Sequence, residues 1–149
     1  MDSNSIQVMF SSASVEWATP QKLFDELNKE FNFTLDAAAT EENTKCLEFF
    51  TKEENSLAQD WGKHTVFLNP PYTRRENKLW LQKAHDSSMN GATVVLLLPS
   101  RTGSGWFHDT VLANNHEVRF LRGRQKFGGC KNSAPFDSIV VIMRPSAGS

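Results

Sequence analysis

The sequence predicts an α/β fold: one domain with a mainly parallel central sheet and helices on both faces. Three observations carry this expectation. Short apolar runs alternate along the chain with segments of helical period, the pattern of strands joined by crossover helices. The most apolar of these runs, Thr93-Val-Val-Leu-Leu-Leu98, has no polar alternation, as a central strand covered on both faces requires. A chain of 149 residues with 39% hydrophobic content can bury one sizeable core but is short for two.

Taken in order, residues 1–14 are polar and Ser-rich and read as a flexible leader, residues 15–145 as the domain, and residues 146–149 as a flexible tail. A helix starts near Thr19, which can cap it, with Pro20 suited to the first helical position. Leu23, Phe24, Leu27 and Phe31 then recur at helical spacing. Phe33–Ala37 reads as a buried strand ending in the carboxylate of Asp36, followed by a helical stretch over Glu41–Phe50. Thr65–Leu68 is a second strand that delivers Asn69 at its carboxyl end. Asn77–Met89 has a helical pattern, Thr93–Leu98 is the central strand, and a helix is expected over Trp106–Ala113. Strands at Glu117–Leu121 and Ser138–Met143, separated by a Gly-containing turn region, complete the order. Trp80 and Phe107 fall on apolar helical faces and are expected in the core. Ligands bind at the carboxyl ends of strands in such sheets, where both Asp36 and Asn69 lie.

No apolar run approaches the roughly 20 residues of a membrane span, and the N-terminus lacks the basic start and apolar stretch of a signal peptide, so a soluble, intracellular protein is expected, with no membrane partner. Cys46 and Cys130 sit in no metal-ligand spacing and are read as reduced thiols. His64, His85, His108 and His116 show no ligand spacing either, and no metal is expected. The net charge of −1 conceals an asymmetry: residues 1–68 carry 12 acidic and 5 basic side chains, residues 69–149 carry 5 acidic and 11 basic. All seven arginines lie in the second half, which suits a phosphate-bearing substrate.

That basic half opens on Asn69-Pro70-Pro71-Tyr72. This string fits the catalytic centre of a methyltransferase acting on an exocyclic amino group. Such a nitrogen is a poor nucleophile because its lone pair is delocalised into the ring. Two acceptors in tetrahedral geometry, the Asn69 side-chain oxygen and the Pro70 carbonyl, would draw its N–H bonds out of plane and restore the lone pair. Pro70 and Pro71 fix the turn, and Tyr72 would stack on the base. A duplex base must be flipped out to reach such a site, at a cost of a few kcal/mol. The tetrapeptide by itself leaves open adenine N6, cytosine N4, an RNA base and a protein glutamine amide as acceptors. It also leaves open a non-catalytic relic that binds DNA or the methyl donor.

Further segments narrow the choice. Glu16-Trp17-Ala18-Thr19-Pro20, Phe33-Thr-Leu-Asp36-Ala-Ala-Ala39, Asn69-Pro-Pro-Tyr72, Leu96-Leu-Leu-Pro-Ser-Arg101 with Trp106-Phe107, Gly123-Arg124 with Phe127, and Ser133-Ala-Pro-Phe136 occur in this order. On these segments the chain resembles the phage-type Dam-like family of DNA N6-adenine methyltransferases, from about Glu16 to Pro145. The resemblance implies a Rossmann-like, S-adenosylmethionine-dependent methyltransferase fold working in the cytoplasm of a bacterial host. It implies that Trp17, Thr19 and Pro20, with Asp36 after the first strand, hold S-adenosylmethionine. The sequence departs from the wider methyltransferase pattern in having no glycine before Gly62, so Ala37 and Ala38, with Ala39, replace a Gly-rich loop. Glu41, Glu42 and Asp60 are the candidates for the donor's ribose hydroxyls. Double-stranded DNA is the expected partner, with Arg74, Arg75, Lys78, Arg101, Arg122, Arg124 and Lys126 as its expected contacts. The chain has no room for a separate target-recognition domain. Sequence preference would therefore come from these loops or from a second subunit, and the sequence favours neither monomer nor homodimer.

Overall fold

The computed structural model describes residues 18–71, 76–128 and 132–145. Trp17, Tyr72, Arg74, Arg75 and Cys130, with the expected leader and tail, lie outside them. A five-stranded sheet in the order β1-β2-β3-β5-β4 forms the centre. Its strands are β1 (Leu35–Asp36), β2 (Thr65–Leu68), β3 (Thr93–Pro99), β4 (Glu117–Phe120) and β5 (Ser138–Met143). The main helices are α1 (Gln21–Phe31) and α2 (Asn77–Met89).

The strand pleat separates two apolar layers. Val66, Leu68, Val94, Leu96, Leu98, Ile139, Val141 and Met143 face α2, which contributes Trp80, Leu81 and Ala84, and the segment bearing Phe107 and Val111. Phe67, Val95, Leu97, Val140 and Ile142 face α1, which contributes Phe24 and Leu27. Helices therefore cover both faces, as expected. Trp80 and Phe107 are core residues.

Three expectations are corrected. The sheet is mixed rather than mainly parallel: β1–β2 and β2–β3 pair parallel, but β3–β5 and β4–β5 pair antiparallel, and the β3–β5 ladder is the longest. The run Ser138-Ile-Val-Val-Ile-Met143 is buried throughout, and a strand covered on both faces reads as unbroken apolar sequence whichever way it points. The helix expected over Glu41–Phe50 is absent. There Thr40 and Asn43 exchange side-chain-to-backbone hydrogen bonds, Asn43 Oδ1 accepting from the Thr40 amide at 2.7 Å and Thr40 Oγ1 from the Asn43 amide at 3.1 Å. Such bonds favour turns over helix. The chain then extends so that Phe49 bridges Asp36 in parallel. Finally, Thr19 does not cap α1. The N-cap is Pro20, and no side-chain cap bond forms, so the helix forgoes roughly 1 kcal/mol that a threonine cap would supply.

The helix expected over Trp106–Ala113 is a π-helical segment, Phe107–Leu112. The Ala113 amide bonds the His108 carbonyl and the His116 amide the Val111 carbonyl, each five residues back. This places the His116 ring against α2, where its Nε2 lies 2.9 Å from His85 Nδ1. The two histidines are paired in space although their spacing in sequence gave no sign of it. Burial, and then the neighbouring His85, hold the His116 pKa below its ordinary value.

The central position of β3 makes a specific demand on stability. Leu96→Ala should lower the unfolding free energy by about 2–5 kcal/mol in urea titrations. Phe120→Ala, on an edge strand at a residue 69% exposed, should change it by under about 0.5 kcal/mol.

Candidate active site at the carboxyl ends of the strands

Asp36 ends β1 with parallel neighbours on both sides, Phe67 of β2 on one flank and Phe49 on the other. The chain leaves β1, returns beside it at Phe49, passes through the 3-10 turns Lys52–Glu54 and Ser56–Ala58, and only then enters β2 on the opposite flank. The winding direction thus reverses at β1, which creates a crevice outside the carboxyl ends of its strands. The Asp36 carboxylate sits in it, 3% exposed. Its Oδ2 accepts the Lys45 amide at 3.0 Å and its Oδ1 the Ala38 amide at 3.4 Å. Burial pushes the Asp36 pKa up to about 6, against the pull of these two amides and of the Lys45 charge. Burial, and then the charge of Asp36, push the nearby Cys46 thiol up to about 11, which keeps it protonated and unreactive.

Asn69 follows β2 directly, and its Nδ2 donates to Thr19 Oγ1 at 3.0 Å. One cleft is lined by Thr19, Asp36, Ala38, Lys45, Phe67 and Asn69, among others. The fold therefore joins three expected site residues from separate segments, Thr19, Asp36 and Asn69, with Ala38 at the wall. Pro20 begins α1 beside them, Pro70 is buried and Pro71 half-buried. Ala37 is not at the cleft: it is fully buried in the layer facing α2. Lys45, Asn43 and Phe67 also line the cleft and were not foreseen. A strand-ending carboxylate that must be satisfied was a signal for a nearby donor, but the helix expected over Glu41–Phe50 masked it. Of the ribose candidates, Glu41 and Glu42 are on the turn, whereas Asp60 accepts the Gly62 amide at 2.8 Å near the start of β2, the far end of the sheet.

The basic residues gather at the same end. β3 and β4 are both antiparallel to β5, so they run the same way, and the loops after β2, β3 and β4 emerge together. Arg101 follows β3, Arg122, Arg124 and Lys126 follow β4, and Lys78 is in the first turn of α2, all exposed. The loop after β4 is tied to the cleft: the Gly128 amide donates to the Ala18 carbonyl at 2.8 Å in an antiparallel bridge. A Cβ on Gly128 would lie 3.3 Å from that of Ala18, so the approach suits glycine. Arg119 and Arg144 are held elsewhere, Arg119 bidentate on Glu30 with both bonds at 2.7 Å and Arg144 at 3.3 Å from Glu117. Among the described residues there is no group of three or more potential metal ligands, and no helix long and apolar enough to cross a membrane.

A buried carboxylate and a strand-end asparagine share one cleft, at the end of the sheet where the basic loops emerge. The family pattern described as DNA N-6-adenine-methyltransferase (Dam) matches residues 9–148. The chain belongs to this family. It is 36% identical over 140 residues to the DNA N-6-adenine-methyltransferase of Haemophilus phage HP1, covering 88% of this chain and 79% of that protein. It is 37% identical over 93 residues to the protein of the same name from Escherichia phage T1, covering 61% of this chain and 38% of the phage T1 protein's length. Membership of the Dam family implies a methyl donor and a DNA substrate.

The raised pKa of Asp36 has a consequence for stability in this family member. The folded chain holds the Asp36 proton more tightly than the unfolded chain does. The stabilisation is therefore complete below the ordinary value of 3.8 and is lost as pH rises through about 6. From this group the wild type should lose up to about 3 kcal/mol of unfolding free energy between pH 4 and pH 7.5, and Asp36→Asn, which does not titrate, should lose less over the same range. Calorimetric scans at both pH values check it.

Proposed function

We propose that this chain transfers a methyl group from S-adenosylmethionine to N6 of an adenine flipped out of double-stranded DNA, on a Rossmann-like methyltransferase fold. The observation that carries the reading is the cleft at the winding reversal, where Asn69 at the end of β2 and the buried carboxylate of Asp36 face the same space.

The donor fits the groups present. Asp36 offers a buried anion to the donor's ammonium group, and the Lys45 ammonium, which also bonds Gln21 Oε1 at 2.7 Å, is suited to the donor's carboxylate. Glu54 is spent on Thr51, accepting its amide at 2.9 Å. Glu53, in the same acidic turn beyond Phe49, is the side chain suited to the ribose hydroxyls, in the position where dinucleotide folds place a carboxylate. Trp17 and Pro20 would close the donor side of the cleft. When bound, the donor supplies a methyl group on a sulfonium sulfur, open to in-line displacement.

The chain's own work is orientation and electrostatics. Asn69 Oδ1 and the Pro70 carbonyl accept the two N–H bonds of adenine N6 and draw them out of the ring plane. Tyr72 stacks on the extruded base, and Pro71 keeps the turn rigid. Arg74, Arg75, Lys78, Arg101, Arg122, Arg124 and Lys126 hold phosphates of the duplex around the flipped nucleotide. The lost proton passes to solvent, so no strong general base is needed.

Purified protein given methyl-labelled S-adenosylmethionine and unmethylated plasmid DNA should yield N6-methyladenine on nucleoside analysis. Label on cytosine, RNA or protein in place of adenine would overturn the acceptor. Asn69→Ala should reduce turnover by roughly 100-fold or more with folding retained. Donor affinity should strengthen about tenfold from pH 5 to pH 7.5 as Asp36 ionises through about 6, and Asp36→Asn should flatten that profile. Titration calorimetry reads both.

A further inference from the structure

Lys45 lines the cleft and is committed at both of its ends. Its amide donates to Asp36 Oδ2 at 3.0 Å, while its ammonium turns away from that carboxylate and donates to Gln21 Oε1 at 2.7 Å. Gln21 is the first residue of α1, which begins beside the cleft. Gln21 is held in turn: its Nε2 donates to Asp25 Oδ1 at 2.8 Å, one helical turn further on.

The chemistry of the partners settles the direction of these bonds. An ammonium can only donate and a carboxylate can only accept, so a carboxamide between them fits one way round, with its oxygen toward Lys45 and its nitrogen toward Asp25. Turned over, it would set N–H bonds against the ammonium and its oxygen against the carboxylate. The amino-acid end of S-adenosylmethionine carries an ammonium and a carboxylate on one carbon. A site for it needs an anion and a cation close together that do not neutralise each other first. Lys45 is on the turn that wraps Asp36, and its charge already acts on that carboxylate. The bond to Gln21 uses one of the three ammonium donors and draws the group toward α1. We infer that Gln21 is a positioning residue of the donor site: oriented by Asp25, it holds the Lys45 ammonium apart from Asp36 and open to the carboxylate of the donor. The inference rests on the reading of Asp36 and Lys45 as the groups that meet the amino-acid end of the donor.

Gln21 is exposed, so Gln21→Leu leaves the core untouched. Titration calorimetry with two probes separates the possibilities. One is S-adenosylmethionine, and the other is its decarboxylated form, which keeps the ammonium, the sulfonium and the nucleoside. Lys45→Met should weaken S-adenosylmethionine binding roughly tenfold or more and leave the decarboxylated form within about twofold of wild type. Gln21→Leu should weaken S-adenosylmethionine by about three- to tenfold and again spare the decarboxylated form. In the Lys45→Met background Gln21→Leu should have no further effect, a coupling that a merely structural role would not produce. Three results would each overturn the inference and leave the donor reading in place: a Gln21→Leu protein that binds S-adenosylmethionine as the wild type does, equal losses of both probes in that variant, or a loss that persists in full beside Lys45→Met. Should Lys45→Met fail to fold, the two probes on Gln21→Leu decide alone. A folded Lys45→Met protein that binds both probes as the wild type does would overturn the reading of Lys45, and the inference with it.

Discussion

A carboxylate buried at the end of a strand has to be satisfied, and much of the site follows from how Asp36 meets that demand. An isolated carboxylate in the interior would cost many kcal/mol. Two backbone amides meet part of that cost, and the one from Lys45 comes from nine residues downstream. To bring that amide round, the chain turns through Thr40–Asn43 rather than forming a helix, then runs alongside β1 at Phe49. The same detour sets the second parallel neighbour of β1, and so creates the winding reversal and its crevice. The residual desolvation, seen as a pKa near 6, is what a cationic ligand arriving in the cleft would relieve.

The second organising constraint is the direction of β5. By entering antiparallel between β3 and β4, it leaves β4 pointing the same way as β1, β2 and β3. All four of those strands therefore end on one side, and their loops share a rim. The charge asymmetry of the chain becomes a spatial arrangement through this topology, with Arg101, Arg122, Arg124 and Lys126 in loops at the same end of the sheet as the cleft. Arg119 and Arg144 are instead committed to Glu30 and Glu117 at the β4 edge. The contact between Gly128 and Ala18 then ties the basic loop to the segment carrying Thr19.

Much of this was legible in the residues. β2, β5 and α2 match their expected bounds, β3 and β4 differ by one residue, and Asp36 and Asn69 stand at strand ends as their positions after apolar runs implied. Local pattern failed where side chains competed with the backbone. Glu41–Phe50 has helical spacing, yet its Thr and Asn side chains and the needs of Asp36 decide its path. Thr19 looks like a cap, yet its hydroxyl is drawn to Asn69. The pairing of His85 with His116 joins two elements with no sequence relation.

The sequence by itself determined the α/β class, the places of most elements, the strand-end carboxylate and asparagine, and the basic second half. These are set by local propensity, apolar period and charge, which each segment carries within itself. Only the tertiary structure decided the direction of β5, the turn that satisfies Asp36, the partner of the Thr19 hydroxyl and the gathering of the basic loops at the end of the sheet that holds the cleft. Each of these depends on which distant segment supplies a hydrogen-bond partner, and a chain of residues read in order does not contain that information.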